Sequence, residues 1–336
     1  MSEKQERIVF DVAYQPQVRT TRDTRRLMLD VLIAMIPAAG FATYRFGFHV
    51  LILMLSSMAA AVFFEWGYRK LLKKSVTIDD FSAAVTGILL VMVLPPQTPV
   101  WVAVIGDFFA IVVVKQLYGG IGKNFLNPAL AGRAFLTASY ASTVTVVIVD
   151  GVSMATPLSY LYGDTPIPYT VGQSFLGAIP GSIGEISTLC ILAGAAYLII
   201  RKVIRWRIPL SVICTVAVIS FLGGHAGYGR FEWMLQNVFA GGVMFTAFFM
   251  ATDYSTSPVT QRGQIIYGCG IGALTMLIRY FGGFAEGCSY AILIMNLTTW
   301  AIDKGCHRHQ FGVSKEDIAA EKAAKKAAKA KKEAVS

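Results

Sequence analysis

HVLILMLSSMAAAVFFEWG, residues 49–67, is an apolar run with one acidic residue, and it leads straight into Tyr68-Arg69-Lys70-Leu71-Leu72-Lys73-Lys74. A helix rises about 1.5 Å per residue, so a run of this length covers the roughly 30 Å hydrocarbon core of a bilayer. The cationic block that closes it marks the cytoplasmic end, because Lys and Arg concentrate in cytoplasmic loops. One segment thus predicts both a membrane span and its direction.

The same pattern recurs on either side. Apolar stretches fall at 30–44, 49–67, 81–94, 99–114, 125–138, 187–200, 208–223, 236–250, 264–278 and 286–302. Ten segments predict an all-α integral membrane protein. The shorter ones predict broken or half-helices, whose backbone must be buried in protein or line a cavity. Composition agrees: 55% of the 336 residues are hydrophobic and 15% charged, against about 25% charged in soluble domains. Residues 1–30 are polar and Arg-rich, with no apolar segment leading to a small-residue cleavage site, so no cleavable leader is expected.

Net charge is +10. In a soluble protein that would raise nucleic-acid binding, but here the charge is sorted. With the N-terminus in the cytoplasm and the spans alternating, 26 of the 30 Lys and Arg residues fall on the cytoplasmic side. Arg45, Arg230 and Arg279 fall outside, and Arg133 falls within a span. Both termini are therefore expected in the cytoplasm, with no nucleic-acid partner.

The connection 139–185 has no Lys or Arg and lies outside by this count. Long connections of this kind are often functional. It divides the spans five and five, and an odd number per half gives related halves opposite orientation, the arithmetic of an inverted repeat. Pro95-Pro96 and Pro258 break the chain after the third span of each half, and Gly119-Gly120 and Gly282-Gly283 precede each fifth span. The resulting division is a cytoplasmic segment 1–29, a five-helix repeat 30–138, an outer loop 139–186, a second repeat 187–302 and a basic tail 303–336. Seven lysines and four acids in 314–336 make that tail a solvated segment suited to anionic lipid headgroups.

Cys190, Cys214, Cys269, Cys288 and Cys306 show no C-x-x-C spacing, and four of them lie in or near apolar spans, where Cys behaves as a small hydrophobe. No metal site is expected within the chain. His307 and His309 beside Cys306 read as a solvated basic flank. No hydrolase triad or phosphate-binding G-x-x-x-x-G-K-[ST] loop is present, so no catalytic residue is assigned.

The outer loop carries Asp150-Gly151-Val152-Ser153-Met154-Ala155-Thr156-Pro157-Leu158. This resembles the flavinylation motif Asp-x-x-Ser/Thr-Gly-Ala-Thr of membrane redox subunits. Asp150, Ser153, Ala155 and Thr156 match, and Met154 stands where the pattern usually has Gly. The runs 119–135, 181–185, 249–253 and 284–287 also resemble signatures of the same family, the NqrB/RnfD family, so the likeness extends from the first span to the last. The short N-terminal region looks like the ferredoxin-coupled branch rather than the longer sodium-pumping NADH:quinone oxidoreductase branch.

The resemblance implies a fold of inverted five-helix repeats in the bacterial or archaeal cytoplasmic membrane. It implies FMN joined through its phosphate to Thr156 by an exported flavin transferase, and leaves room for a second, noncovalent flavin. It implies an electron-transfer component of a ferredoxin–NAD oxidoreductase coupled to Na+ or H+ movement, with the ferredoxin and NAD sites on other membrane and peripheral subunits. The alternatives are the B component of the quinone-reducing complex and a non-redox solute channel of the same fold, because fold alone does not establish function.

Physical reading adds further candidates. Gly181 and Gly184 precede a helix, whose N-terminal N–H groups suit an anion such as the FMN phosphate. Asp107 lies mid-span, where a carboxylate marks an ion path or a partner; Arg133, in the next span, is its expected partner. Asp253 and Glu286 sit at helix ends that suit a cation. Glu65 is expected to pair at the interface with Arg69 and Lys70.

Overall fold

The structure, a computed structural model, describes residues 23–145, 147–149, 152–154, 158, 162, 168–224, 228–282 and 286–306. Each of the ten apolar stretches contains a helix. The first half comprises α1 (Thr24–Phe46), α2 (Phe48–Leu71), α3 (Ser82–Met92), α4 (Val100–Phe108, continuing as a π-helical segment Phe109–Gln116) and α5 (Pro128–Ser139). The connection holds α6 (Ala141–Val144), a two-stranded antiparallel hairpin of β1 (Val147–Val149) and β2 (Val152–Met154), and α7 (Val171–Leu176). The second half comprises α8 (Thr188–Ile200), α9 (Arg207–Gly223), α10 (Arg230–Phe239), α11 (Val243–Phe245, continuing as a π-helical segment Thr246–Met250), α12 (Gln261–Phe281) and α13 (Cys288–Gly305).

Local sequence explains where the helices start. Asn127 caps α5 by accepting from the N–H groups of Ala129 (3.1 Å) and Leu130 (3.3 Å), with Pro128 at the first helical position. Thr170 and Gln173 form a reciprocal capping box at α7. Thr260 caps α12 through the Gly263 N–H.

Not every expected span crosses on its own. Among the described helices α1, α2 and α12 are long and apolar enough, and α10 with the α11 segment, bent by 59°, has the length and composition of a broken span or a re-entrant loop. With 11 residues, α3 reaches only about 16 Å. Pro95 and Pro96 lack the N–H that a continuing helix needs, so α3 stops and the chain turns back. The loop before α8 meets this end: Gly184 N–H donates to the Met92 carbonyl (2.6 Å) and Ile183 N–H to the Leu94 carbonyl (3.0 Å).

Packing is alike in the two halves. The second helix of each half carries the third and fourth: α2 packs on α3 and α4, and α9 on α10 and α12. Across the halves, first meets first (α1 on α8) and last meets last (α5 on α13). Small residues permit these approaches, as expected where van der Waals contact holds helices together in lipid. A Cβ on Gly87 would stand 2.8 Å from the Ser57 carbonyl oxygen of α2. One on Gly272 would stand 2.9 Å from the Val212 carbonyl oxygen of α9. At Gly194 of α8 a Cβ would overlap the Ala34 carbonyl oxygen of α1, whereas Gly40 has open space around it. Gly194→Val is therefore expected to abolish the monodisperse peak in detergent size-exclusion chromatography and Gly40→Ala to leave it unchanged. A normal peak for Gly194→Val would show that the α1–α8 contact is dispensable.

Candidate functional site

Asp150, Ala155 and Thr156 lie outside the described residues. Ser153 lies in β2, where Ile148 is its register partner. Just beyond the motif, Leu158 is fully buried against Trp233 and Ala240. Tyr162 follows it into the same box: its hydroxyl donates to Asn237 Oδ1 (2.5 Å), and its ring stands edge-on to Trp233 (5.4 Å) and Tyr280 (5.5 Å). Trp233 Nε1 donates to the Tyr280 hydroxyl (3.0 Å). Aromatic edges packed this way, with their polar tips satisfied, hold a segment firmly. Leu158 and Tyr162 are thereby docked between α10 and α12, at the bend that leads into α11.

That bend is electrostatically unusual. Arg279 of α12 is buried, not a loop cation. Its Nη1 donates to the Asn237 carbonyl (2.7 Å), while Nε has no hydrogen-bond partner. Gly241, at φ +79°, makes the fit possible: a Cβ there would lie 3.2 Å from Arg279 Nη2 and 3.3 Å from Leu158 Cδ2. A guanidinium, a docked loop residue and a left-handed glycine thus meet at one place, and only glycine adopts that backbone without strain.

Arg133 lies at the same end, but not with Asp107. Its Nη2 pairs with Glu286 Oε2 and its Nη1 donates to Ser289 Oγ (2.7 Å). The reason is helical phase. Gly132 and Leu136, one turn apart on α5, face α4: a Cβ on Gly132 would lie 3.0 Å from the Gly106 carbonyl oxygen, and Leu136 closes over Gly106. Arg133 is rotated about 100° from Gly132 and reaches α13 instead. Asp107 remains fully buried in α4, with Ser57 of α2 beside its carboxylate and no cation paired with it among the described residues.

Glu185, in the loop that meets α3, turns its carboxylate to the Glu286 side. The N–H groups of Ile183, Gly184 and Glu185 donate to the carbonyls of Leu94, Met92 and Ser182. Gly184 also sits so close to the Met92 carbonyl that a Cβ there would stand 2.8 Å from it. These amides serve the fold, and the anion nest expected at Gly181 and Gly184 lacks three of its donors.

The opposite end of the bundle holds a separate cluster. Lys115, in the π-helical continuation of α4, is buried with its Nζ 2.7 Å from Glu65 Oε2 and 2.6 Å from Ser82 Oγ. Arg69 Nε lies 3.8 Å from Glu65 Oε1. Glu65 is thus a buried partner of Lys115 as well as of Arg69, rather than an interfacial residue. Asp253 accepts from Ser255 Oγ (2.9 Å) and Thr256 Oγ1 (3.1 Å) in the turn after the α11 segment. A cavity of about 90 Å³ lies beside it, lined among others by Lys115, Asn124, Asn127, Phe248 and Phe249. The four expected ion-path residues therefore occupy three places: Arg133 with Glu286, Asp107 alone, and Asp253 at the far end.

A model of the NQR2, RnfD, RnfE family matches residues 11–312. The chain belongs to this family. It is 44% identical over 311 residues to the D component of the Na+-translocating ferredoxin:NAD+ oxidoreductase complex of Acetobacterium woodii, covering 90% of this chain and 96% of that one. It is 41% identical over 320 residues to the D component of the proton-translocating ferredoxin:NAD+ oxidoreductase complex of Clostridium ljungdahlii, with the same two coverages. The D component of an ion-translocating oxidoreductase complex of Shewanella frigidimarina is 33% identical over 345 residues, 91% of this chain and 99% of that one. Family membership and the apolar helices together make this a multi-pass membrane protein.

Sequence reasoning in this family member missed Lys115, Arg279 and the part played by Glu185. Lys115 and Arg279 each stand one residue beyond an apolar stretch, where a buried cation and a loop cation look alike. Removing one partner of a buried pair leaves an uncompensated charge. Lys115→Met, which leaves Glu65 with Arg69 as its ion-pair partner and the Thr77 hydroxyl as a donor, is expected to destabilise the protein by about 3 kcal/mol. Adding Glu65→Gln should recover much of the loss in thermal denaturation. Equal melting of Lys115→Met and wild type would show that the pair does not support the fold.

Proposed function

We propose that this chain is the flavin-bearing membrane component of an ion-translocating ferredoxin:NAD+ oxidoreductase complex. The supporting observation is the docking of Leu158, two residues after Thr156, beside buried Arg279. A phosphoester of FMN keeps one negative charge, and Arg279, with its unpartnered Nε, is a cation suited to face it. When bound there, the flavin would supply the electron-transfer chemistry. The chain's own contribution is position and charge: the aromatic box of Tyr162, Trp233 and Tyr280 anchors the loop, and Arg279 supplies the countercharge.

Thr hydroxyls are weak nucleophiles, so attachment requires a transferase partner during maturation. The chain carries no motif for NAD or ferredoxin, so those sites belong to other subunits. The high coverage of relatives named as D components of ferredoxin-coupled complexes favours that branch over the quinone-reducing one. The charge distribution supports cytoplasmic termini and an outer Leu158 end.

Denaturing-gel fluorescence tests the reading directly. With the flavin transferase co-expressed, the wild-type band should fluoresce and Thr156→Ala should be dark. A dark wild-type band beside a glowing flavinylated control would overturn covalent FMN and move the channel reading ahead. For coupling, Asp107→Asn is expected to lower Na+ or H+ uptake by the reconstituted complex while part of the electron transfer persists. Undiminished uptake would remove Asp107 from the ion path.

A further inference from the structure

Two carboxylates at the Leu158 end face each other, and one oxygen of each accepts from no protein donor. Glu185 is 5% exposed and its Oε1 has no hydrogen bond; Glu286 Oε1 is likewise buried and unbonded, although Glu286 Oε2 is held by Arg133. Both orphan oxygens close over Gly242, at the break between α10 and α11. A Cβ on Gly242 would stand 2.7 Å from Glu185 Oε1 and 3.5 Å from Glu286 Oε1. Ser182 Oγ is buried beside Glu185 and faces its carboxylate.

The surrounding charges do not balance the pair. Arg133 reaches Glu286 and, at longer range, Glu185; its own surroundings include Ser289 and Tyr290. Arg279 acts on Glu286 from a distance, with its head committed to the Asn237 and Ala240 carbonyls. Two carboxylates thus share one directly bonded guanidinium. Like charges this close in a buried site do not both persist without a positive charge between them. The elements involved come from both halves: Arg133 from α5, Glu185 from the loop before α8, Gly242 from the bend, and Glu286 from the start of α13.

We infer that Glu185 Oε1 and Glu286 Oε1, above Gly242, form a site for one monovalent cation, H+ or Na+, with Arg133 limiting occupancy to one. Gly242 leaves the space open, and Ser182 Oγ is a further oxygen ligand when the occupant is Na+. This deepens the ion-translocating reading but is independent of the covalent flavin.

Infrared difference spectroscopy on the purified full-length Thr156→Ala chain tests it in detergent without any flavin signal. One arm exchanges Na+ for choline at fixed pH, and the other scans pH without Na+. A carboxylate band change in the first arm identifies Na+ as occupant; a carboxyl C=O band that appears only in the second identifies H+. Glu185→Gln and Glu286→Gln should each abolish the response. Gly242→Ala, which fills the space and keeps both carboxylates, should weaken it at least tenfold in cation concentration. Size-exclusion profiles identify any variant that has lost its fold, and the other two substitutions then carry the test. A wild-type chain silent in both arms, or a full response in folded Glu185→Gln, would overturn the site. A dark gel band with an intact response would remove the flavin and leave the cation site standing.

Discussion

The Met92 and Leu94 carbonyls accept from the N–H groups of Gly184 and Ile183, and much of the remaining architecture depends on that pairing. A helix that stops inside a bilayer leaves backbone groups with no water to satisfy them, so they must be met by protein. Here the end of α3 in the first half is satisfied by the loop before α8 in the second. The stitch fixes the two halves to each other. It also sets Glu185 beside the bend at Gly242, because Glu185 is the next residue after Gly184 in the same turn.

The same economy governs the buried charges. Glu65 and Lys115 meet across α2 and the π-helical end of α4, and Arg133 and Glu286 across α5 and the start of α13. A pair between elements far apart in sequence specifies how they dock, since each partner alone would be a costly buried charge. The π-helical turns fall where such work is done: one carries Lys115, and the other runs to the turn holding Asp253. Local widening of a helix re-aims the side chains that follow it, which is why such segments recur at functional positions.

Hydropathy made the helical segments legible because the bilayer imposes one length and one polarity on each of them. It could not separate a span from a half-helix: 81–94 is as apolar as its neighbours, yet Pro95-Pro96 ends α3 at 11 residues and the chain turns back. The partner of Arg133 was illegible for a different reason. Neighbouring spans share many possible faces, and only the phase set by Gly132 and Leu136 against α4 sends Arg133 to α13. The glycines of 181–184 were recognisable as a turn, but not the carbonyls their loop would meet, which belong to the distant Met92 and Leu94. Arg279 and Lys115 illustrate edge uncertainty: a shift of a single residue separates a loop cation from a buried one.

The coupling ion belongs to a finer level still. The Acetobacterium complex is named for Na+ and the Clostridium complex for protons, yet their D components are 44% and 41% identical to this chain. A fold shared so evenly cannot by itself choose the ion. A proton is satisfied by two oxygens sharing it, whereas a hard metal cation needs a fuller shell of oxygen ligands. The proposed carboxylate pair over a glycine would suit either, and the choice would then rest with neighbours such as Ser182 and the carbonyls of the bend. Ion preference can change through these neighbours while both carboxylates and the stitch that positions them stay in place.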